Sequence, residues 1–94
     1  MPEVLSEAAV DGELAARAIQ WEREGAVLVK VVKRANFAGA LAYVNAVGEL
    51  AEEADHHPDI DIRWNTVTLR LSTHSAGGLT DLDLTLAERI DGLG

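Results

Sequence analysis

Ninety-four residues with 48% apolar and 26% charged side chains suit one globular domain, burying roughly 60–65% of the surface its unfolded chain would expose. A net charge of −8, from 8 Lys and Arg against 16 Asp and Glu, repels phosphate backbones and anionic bilayers, so neither nucleic acid nor membrane is expected as a partner. The absence of cysteine excludes disulfides, thiolate catalysis, iron-sulfur clusters and cysteine-ligated zinc.

Ser6 can cap a first helix over about residues 7 to 19, in which Val10, Leu14 and Ala18 recur every four residues. Trp21 marks the change of pattern, and Glu24-Gly25 is a turn before the β-branched strand Val27 to Lys33. That strand is apolar on both faces, Val27, Val29 and Val31 on one and Leu28 and Val32 on the other, which fits either helices on one side and a second subunit on the other or a strand with some exposed valines. Asn36 caps a long helix with a stripe of Phe37, Leu41, Val44, Gly48 and Ala51, widened by Ala40, Val47 and Ala54. It should stop near His57, because Pro58 disfavours helical geometry in the residue before it.

Ile60, Ile62 and Trp64 then alternate with Asp59, Asp61 and Arg63, and Val67, Leu69 and Leu71 with Thr68 and Arg70, which makes a hairpin linked at Asn65-Thr66. Thr80 and Asp83 resemble a capping box for a last helix carrying Leu82, Leu86 and Ile90 and ended by Gly92. The expected fold is α+β, in the order α-β-β-α-β-β-α, a single domain over residues 1–94 with a four-stranded, mainly antiparallel sheet and three helices on one face. The N-terminal Met-Pro-Glu-Val-Leu-Ser-Glu has no basic run leading into an apolar one, and no apolar segment approaches 18 residues, so a cytoplasmic location is expected.

All three histidines fall between Glu52 and Asp83, in a stretch flanked by carboxylates, which points to proton transfer. His56 and His57 close the long helix, where the dipole favours a cationic imidazole and hence an acid. Adjacent helical positions diverge by roughly 100°, so one should face a cleft and the other a wall. His74 ends the last strand, just before a glycine loop, where a rigid element presents a side chain to a pocket. Each residue also has a plain reading: helix capping for the His pair, a surface place for His74, a cap for Asp83, a hairpin core residue for Trp64, a solvated charge for Glu52. A metal site built from the histidines and Asp83 competes too, although no two histidines have the four-residue helical spacing that sets ligands side by side.

Together, Glu52, His56-His57-Pro58, Trp64, Ser72-Thr73-His74, Gly78-Leu79-Thr80 and Asp83 resemble the pattern of the pterin-4a-carbinolamine dehydratase family, and the resemblance extends to Trp21, Phe37 and the last helix. It implies a hydro-lyase that removes water from 4a-hydroxytetrahydropterin to give quinonoid dihydropterin, recycling the pterin of aromatic amino-acid hydroxylases. The implied catalytic residues are His56, His57 and His74; Ser72, Thr73, Asp83 and Trp64 would contact the pterin, with Glu52 and Asp55 supporting the pair. No metal or cofactor is implied, since the pterin is the substrate, and a homodimer or homotetramer is. The preferred division makes His56 or His57 the acid and His74 the base. Ser75-Ala76 stands where some relatives carry a cysteine, so no contact through sulfur is available. The rival reading is a non-catalytic binding or assembly factor on the same fold, which has no need of three histidines in register.

Overall fold

The computed structural model describes residues 3–94; Met1 and Pro2, part of the stretch searched for a leader, lie outside the described residues. Helix α1 spans Glu7–Ala16, with the Ser6 Oγ accepting from the Ala9 N–H at 3.1 Å. It ends before the expected residue 19 because Ala18 adopts a left-handed φ of 53°, and Ile19 N–H returns to Leu14 C=O at 2.9 Å. The turn carries Ile19 and Trp21 inward, to 7% and 5% exposure.

Strand β1 (Glu22–Glu24) turns at Gly25, φ 62°, into β2 (Val27–Lys33). Helix α2 (Phe37–Ala54) starts where Asn36 Oδ1 accepts from Gly39 N–H at 2.8 Å, and is followed by the hairpin of β3 (Asp59–Arg63) and β4 (Thr66–Leu71). Helix α3 (Asp81–Asp91) opens with the expected capping box between Thr80 and Asp83 and is closed by Gly92. The sheet is antiparallel throughout, in the order β1-β2-β4-β3.

Register explains the two-faced β2. Leu28 lies opposite Leu71 and Val32 opposite Val67, all turned toward the helices, whereas Val29 lies opposite Arg70 and Val31 opposite Thr68 on the helix-free face. Val31 is 63% exposed there.

Four residues expected on apolar stripes or in the core are exposed instead: Phe37, Leu41, Trp64 and Leu82. The buried stripe of α2 is Ala40, Tyr43, Val47 and Ala51, while Phe37 and Leu41 face outward. Both stripes have helical spacing, and the fully buried Ala40 and Val47 mark the one against which the core packs. Trp64 is not a hairpin core residue: with Asn65 it forms the link, at a φ of 56° and 66% exposure. Arg63 pairs with Thr66, so the link sits one residue earlier than the expected Asn65-Thr66.

Two charged clusters hold α3. Near its start, Arg17 of the α1 exit reaches Asp81 at 2.8 Å and Glu88 at 3.1 Å. At its end, Asp91 accepts from Gln20 N–H at 2.7 Å, the Trp21 indole N–H at 2.9 Å and Lys30 Nζ at 2.7 Å.

Hydrogen bonding to Arg17 holds the Asp81 carboxyl below its ordinary value of 3.8. A depressed folded-state pKa adds stability above the unfolded value and loses it as pH falls through the folded one. Asp81→Asn should therefore lower stability at pH 7 by about 0.5 kcal/mol or less, the pair being solvent-screened. The gap to the parent protein should close on acidification below pH ~4, read by urea unfolding across pH.

Candidate functional site

The site begins where α2 ends. Asp55 takes a left-handed φ of 50°, its N–H returning to Glu52 C=O at 3.3 Å and the His56 N–H to Ala51 C=O at 3.1 Å. This closure finishes the helix at Ala54, ahead of the expected stop near His57, and leaves both histidines on the exit segment. Asp55, expected to support the pair, makes the turn with its backbone.

The two histidines part at this turn. His56, with 10% of its side chain exposed, reaches inward so that Nε2 meets Asp83 Oδ1 at 2.5 Å. His57, 55% exposed, turns out and pairs with the Glu52 carboxylate. Glu52 thus serves His57, not the His56 one turn after it, because the left-handed step swings the chain back over the last helical turn.

Asp83 is fully buried. Its Oδ2 accepts from the Thr73 hydroxyl at 2.7 Å and from Thr80 N–H at 3.0 Å. Since the single Thr73 proton goes to Asp83, the Thr80 hydroxyl donates to Thr73 Oγ1 at 2.8 Å, and Thr80 Oγ1 in turn accepts from Leu82 N–H at 3.2 Å. An ionised carboxylate can only accept, so in the pairing with Asp83 His56 Nε2–H is the donor and Nδ1 is the ring nitrogen that Asp83 does not engage.

Thr73, 3% exposed, anchors the loop that bears His74. Its N–H bonds Gly78 C=O at 3.0 Å and its C=O accepts from Gly77 N–H at 3.0 Å, a tight turn that needs the φ of 78° at Gly77. A Cβ on Gly78 would stand 2.9 Å from Val4 Cγ1, and Leu5 N–H reaches Leu79 C=O at 2.8 Å, so the segment before α1 braces this loop. His74 is exposed at the mouth of a cavity of about 300 Å³ whose lining includes Ser72, Asp59, Arg70 and Val27. A larger open cleft of about 570 Å³ beside β1 holds no histidine.

The fold therefore brings His56, His57, His74, Ser72, Thr73 and Asp83 to one end of the sheet. Thr73 and Asp83, expected to contact the pterin, are buried here and bond each other behind His56. Trp64 lies at the other end of the hairpin, about 17 Å away along β4, because it occupies the far turn. Among the described residues no three His, Cys, Asp or Glu side chains are placed to hold a metal ion. Among the described residues no helix is long and apolar enough to cross a membrane.

Sequence reasoning passed over Thr80 as more than a cap, and over Asp59 and Arg70 as cavity residues. Their direct pairing across β3 and β4 on the helix-free face was the available signal.

The result is a small α+β domain with a buried carboxylate behind one histidine, a second histidine facing out beside it and a third on a braced loop. The chain belongs to the family described as pterin 4 alpha carbinolamine dehydratase, whose family model matches residues 3–93. Among its relatives, a protein of Nocardia farcinica is 56% identical over 73 residues, 78% of this chain and 77% of the relative. One of Chloroflexus aurantiacus is 52% identical over 87 residues, 93% and 92% of the two chains. Both are named as candidate pterin-4-alpha-carbinolamine dehydratases. A crystal structure described as a transcriptional coactivator/pterin dehydratase from Brucella melitensis superposes with a TM-score of 0.88 at 28% identity, over 97% of this chain and 98% of that one. A pterin dehydratase-like protein identified as a RuBisCO assembly factor in the alpha-carboxysome shares the fold at a TM-score of 0.63 and 24% identity, over 79% and 86% of the chains.

Removing the Asp83 carboxylate strands the Thr73 hydroxyl, the Thr80 N–H and His56. Asp83→Ala should cost about 2–4 kcal/mol of unfolding free energy in urea titration, against less than about 1 kcal/mol for Glu52→Ala, whose pair with His57 is exposed.

Proposed function

We propose that this protein dehydrates 4a-hydroxytetrahydropterin to quinonoid dihydropterin. The observation that carries the reading is the chain Thr80–Thr73–Asp83–His56, which fixes one imidazole while His74 stands free at the cavity mouth. The elimination needs a proton delivered to the departing C4a hydroxyl and a proton accepted from N5, so that water leaves with no net gain of protons or electrons. The site supplies imidazoles for both transfers. His56 or His57 acts as acid and His74 as base, Ser72 contacts the pterin beside His74, and Glu52 steadies His57. Thr73 and Asp83 act through His56 by fixing its ring. A cavity of about 300 Å³ suits a bicyclic ligand with its C6 side chain toward solvent. The pterin is the substrate, and the reaction requires no metal or further cofactor. The setting proposed is the cytoplasm, downstream of a pterin-dependent hydroxylase.

The test is the dehydration of 4a-hydroxytetrahydropterin generated in place by such a hydroxylase and followed by ultraviolet absorbance. The parent protein should accelerate water loss clearly above the spontaneous rate. His56→Ala and His74→Ala should each reduce kcat by about 10²–10⁴-fold. Full turnover in His74→Ala, with activity lost in His56→Ala and His57→Ala, would refute the division of roles. No acceleration by folded parent protein would refute the activity.

A further inference from the structure

Asp59 of β3 and Arg70 of β4 lie directly opposite each other on the helix-free face, and both line the cavity at whose mouth His74 stands. Both are exposed. Opposite charges facing each other across two strands ordinarily attract and close. On the same face Arg63 Nε reaches Asp61 at 3.1 Å, yet among the described residues neither Asp59 nor Arg70 forms an ion pair or a side-chain hydrogen bond.

The other arginines are engaged. Arg17 holds Asp81 and Glu88, Arg23 holds Asp11, Arg89 holds Glu53, and Arg34 lies over the Tyr43 ring at 4.4 Å. With 16 Asp and Glu against 8 Lys and Arg in the chain, an arginine left without a carboxylate is the exception. Arg70 keeps its guanidinium donors, and Asp59 its carboxylate acceptors, for a ligand in the cavity.

We propose that Asp59 and Arg70 bind the pyrimidine edge of the pterin, the Asp59 carboxylate accepting from the 2-amino group and the Arg70 guanidinium donating to the C4 carbonyl oxygen. This deepens the pterin reading above and rests on it. An ionised carboxylate only accepts and a guanidinium only donates, so the pair presents an acceptor beside a donor, the complement of an amino group beside a carbonyl. Directly opposed residues have Cβ atoms roughly 4.5–5.5 Å apart. That separation is close to the one between substituents on alternate atoms of a six-membered ring, which is how the 2-amino and C4 carbonyl groups are placed.

The same contact orients the reacting atoms. C4a is bonded to C4, so a C4 carbonyl held by Arg70 directs C4a and N5 along β4 toward Ser72 and the His74 loop. Ser72 lies two residues beyond Arg70 on the same face, about 7 Å along the chain, and Val27 adds an apolar surface beneath the ring. The C6 side chain, on the far ring, is left toward solvent. Asp59 and Arg70 are thus substrate-binding residues that set which heterocycle enters and which way round it lies.

The test is equilibrium binding of two stable compounds followed by ligand fluorescence: 6-methyl-7,8-dihydropterin and its analogue lacking the 2-amino group. A 6-methyl group forms no hydrogen bond, so changes in affinity are read at the ring. The parent protein should bind the dihydropterin about 10-fold more tightly than the analogue. Asp59→Ala should abolish that preference, weakening the dihydropterin while leaving the analogue unchanged. Arg70→Leu should weaken both compounds alike, because both keep the C4 carbonyl, and Arg70→Lys, which retains a donor, should recover part of the loss. Arg63→Ala, exposed on the same face but outside the cavity, should alter neither affinity, and circular dichroism reports whether each variant is folded. An undiminished preference in folded Asp59→Ala, or unchanged affinities in folded Arg70→Leu, would overturn this inference and leave the pterin reading standing. No binding of the dihydropterin by folded parent protein would overturn both.

Discussion

A carboxylate with no access to water is the constraint on which this structure depends. Burying Asp83 costs several kcal/mol unless donors replace its hydration, and the donors come from three separate parts of the chain: Thr80 at the start of α3, Thr73 after β4, and His56 after α2. Satisfying one side chain therefore fixes the relative positions of three chain segments. The capping box and the histidine clamp are the same carboxylate used twice, one oxygen for the helix and one for the imidazole.

This arrangement also separates chemistry from support. His56 is held from behind by groups that solvent cannot reach, and His74 is carried on a loop stiffened by the Thr73–Gly78 bridge and by Val4 pressed against Gly78. Preorganised side chains of this kind need little rearrangement when a ligand arrives. The architecture alone does not dictate that use, since the same fold, at 24% identity, belongs to a protein identified as a RuBisCO assembly factor.

Much of this was legible in the sequence. Period-two alternation located the hairpin, Asn36 and Thr80 located two helix starts, and the three histidines that the sequence singled out do come to one end of the sheet. The errors share a cause: local pattern does not report the sign of φ. The left-handed turns at Ala18 and Asp55 shortened α1 and α2, and the one at Trp64 moved a strand-like residue into a link. None carries the glycine that usually marks such a turn. The α2 stripe was right at Ala40, Val47 and Ala51 and wrong at Phe37 and Leu41, because two neighbouring stripes both had helical spacing and only tertiary packing chose between them. The partner of each histidine was equally hidden, since the reversal at Asp55 decides that Glu52 meets His57 and leaves His56 for Asp83.

The Asp91 cluster gives this arrangement a reach that distance alone would not suggest. Helix α3 is a rod of eleven residues, about 16 Å long, moored at its far end to the α1–β1 connection and Lys30 and at its near end to Arg17 and the Asp83 network. A rod held at both ends cannot slide or tip to relieve a change at either. A change at Asp91 has a physical route to His56 through α3, so tolerance to sequence change in this domain should follow the contacts at both ends of that helix as well as proximity to the histidines.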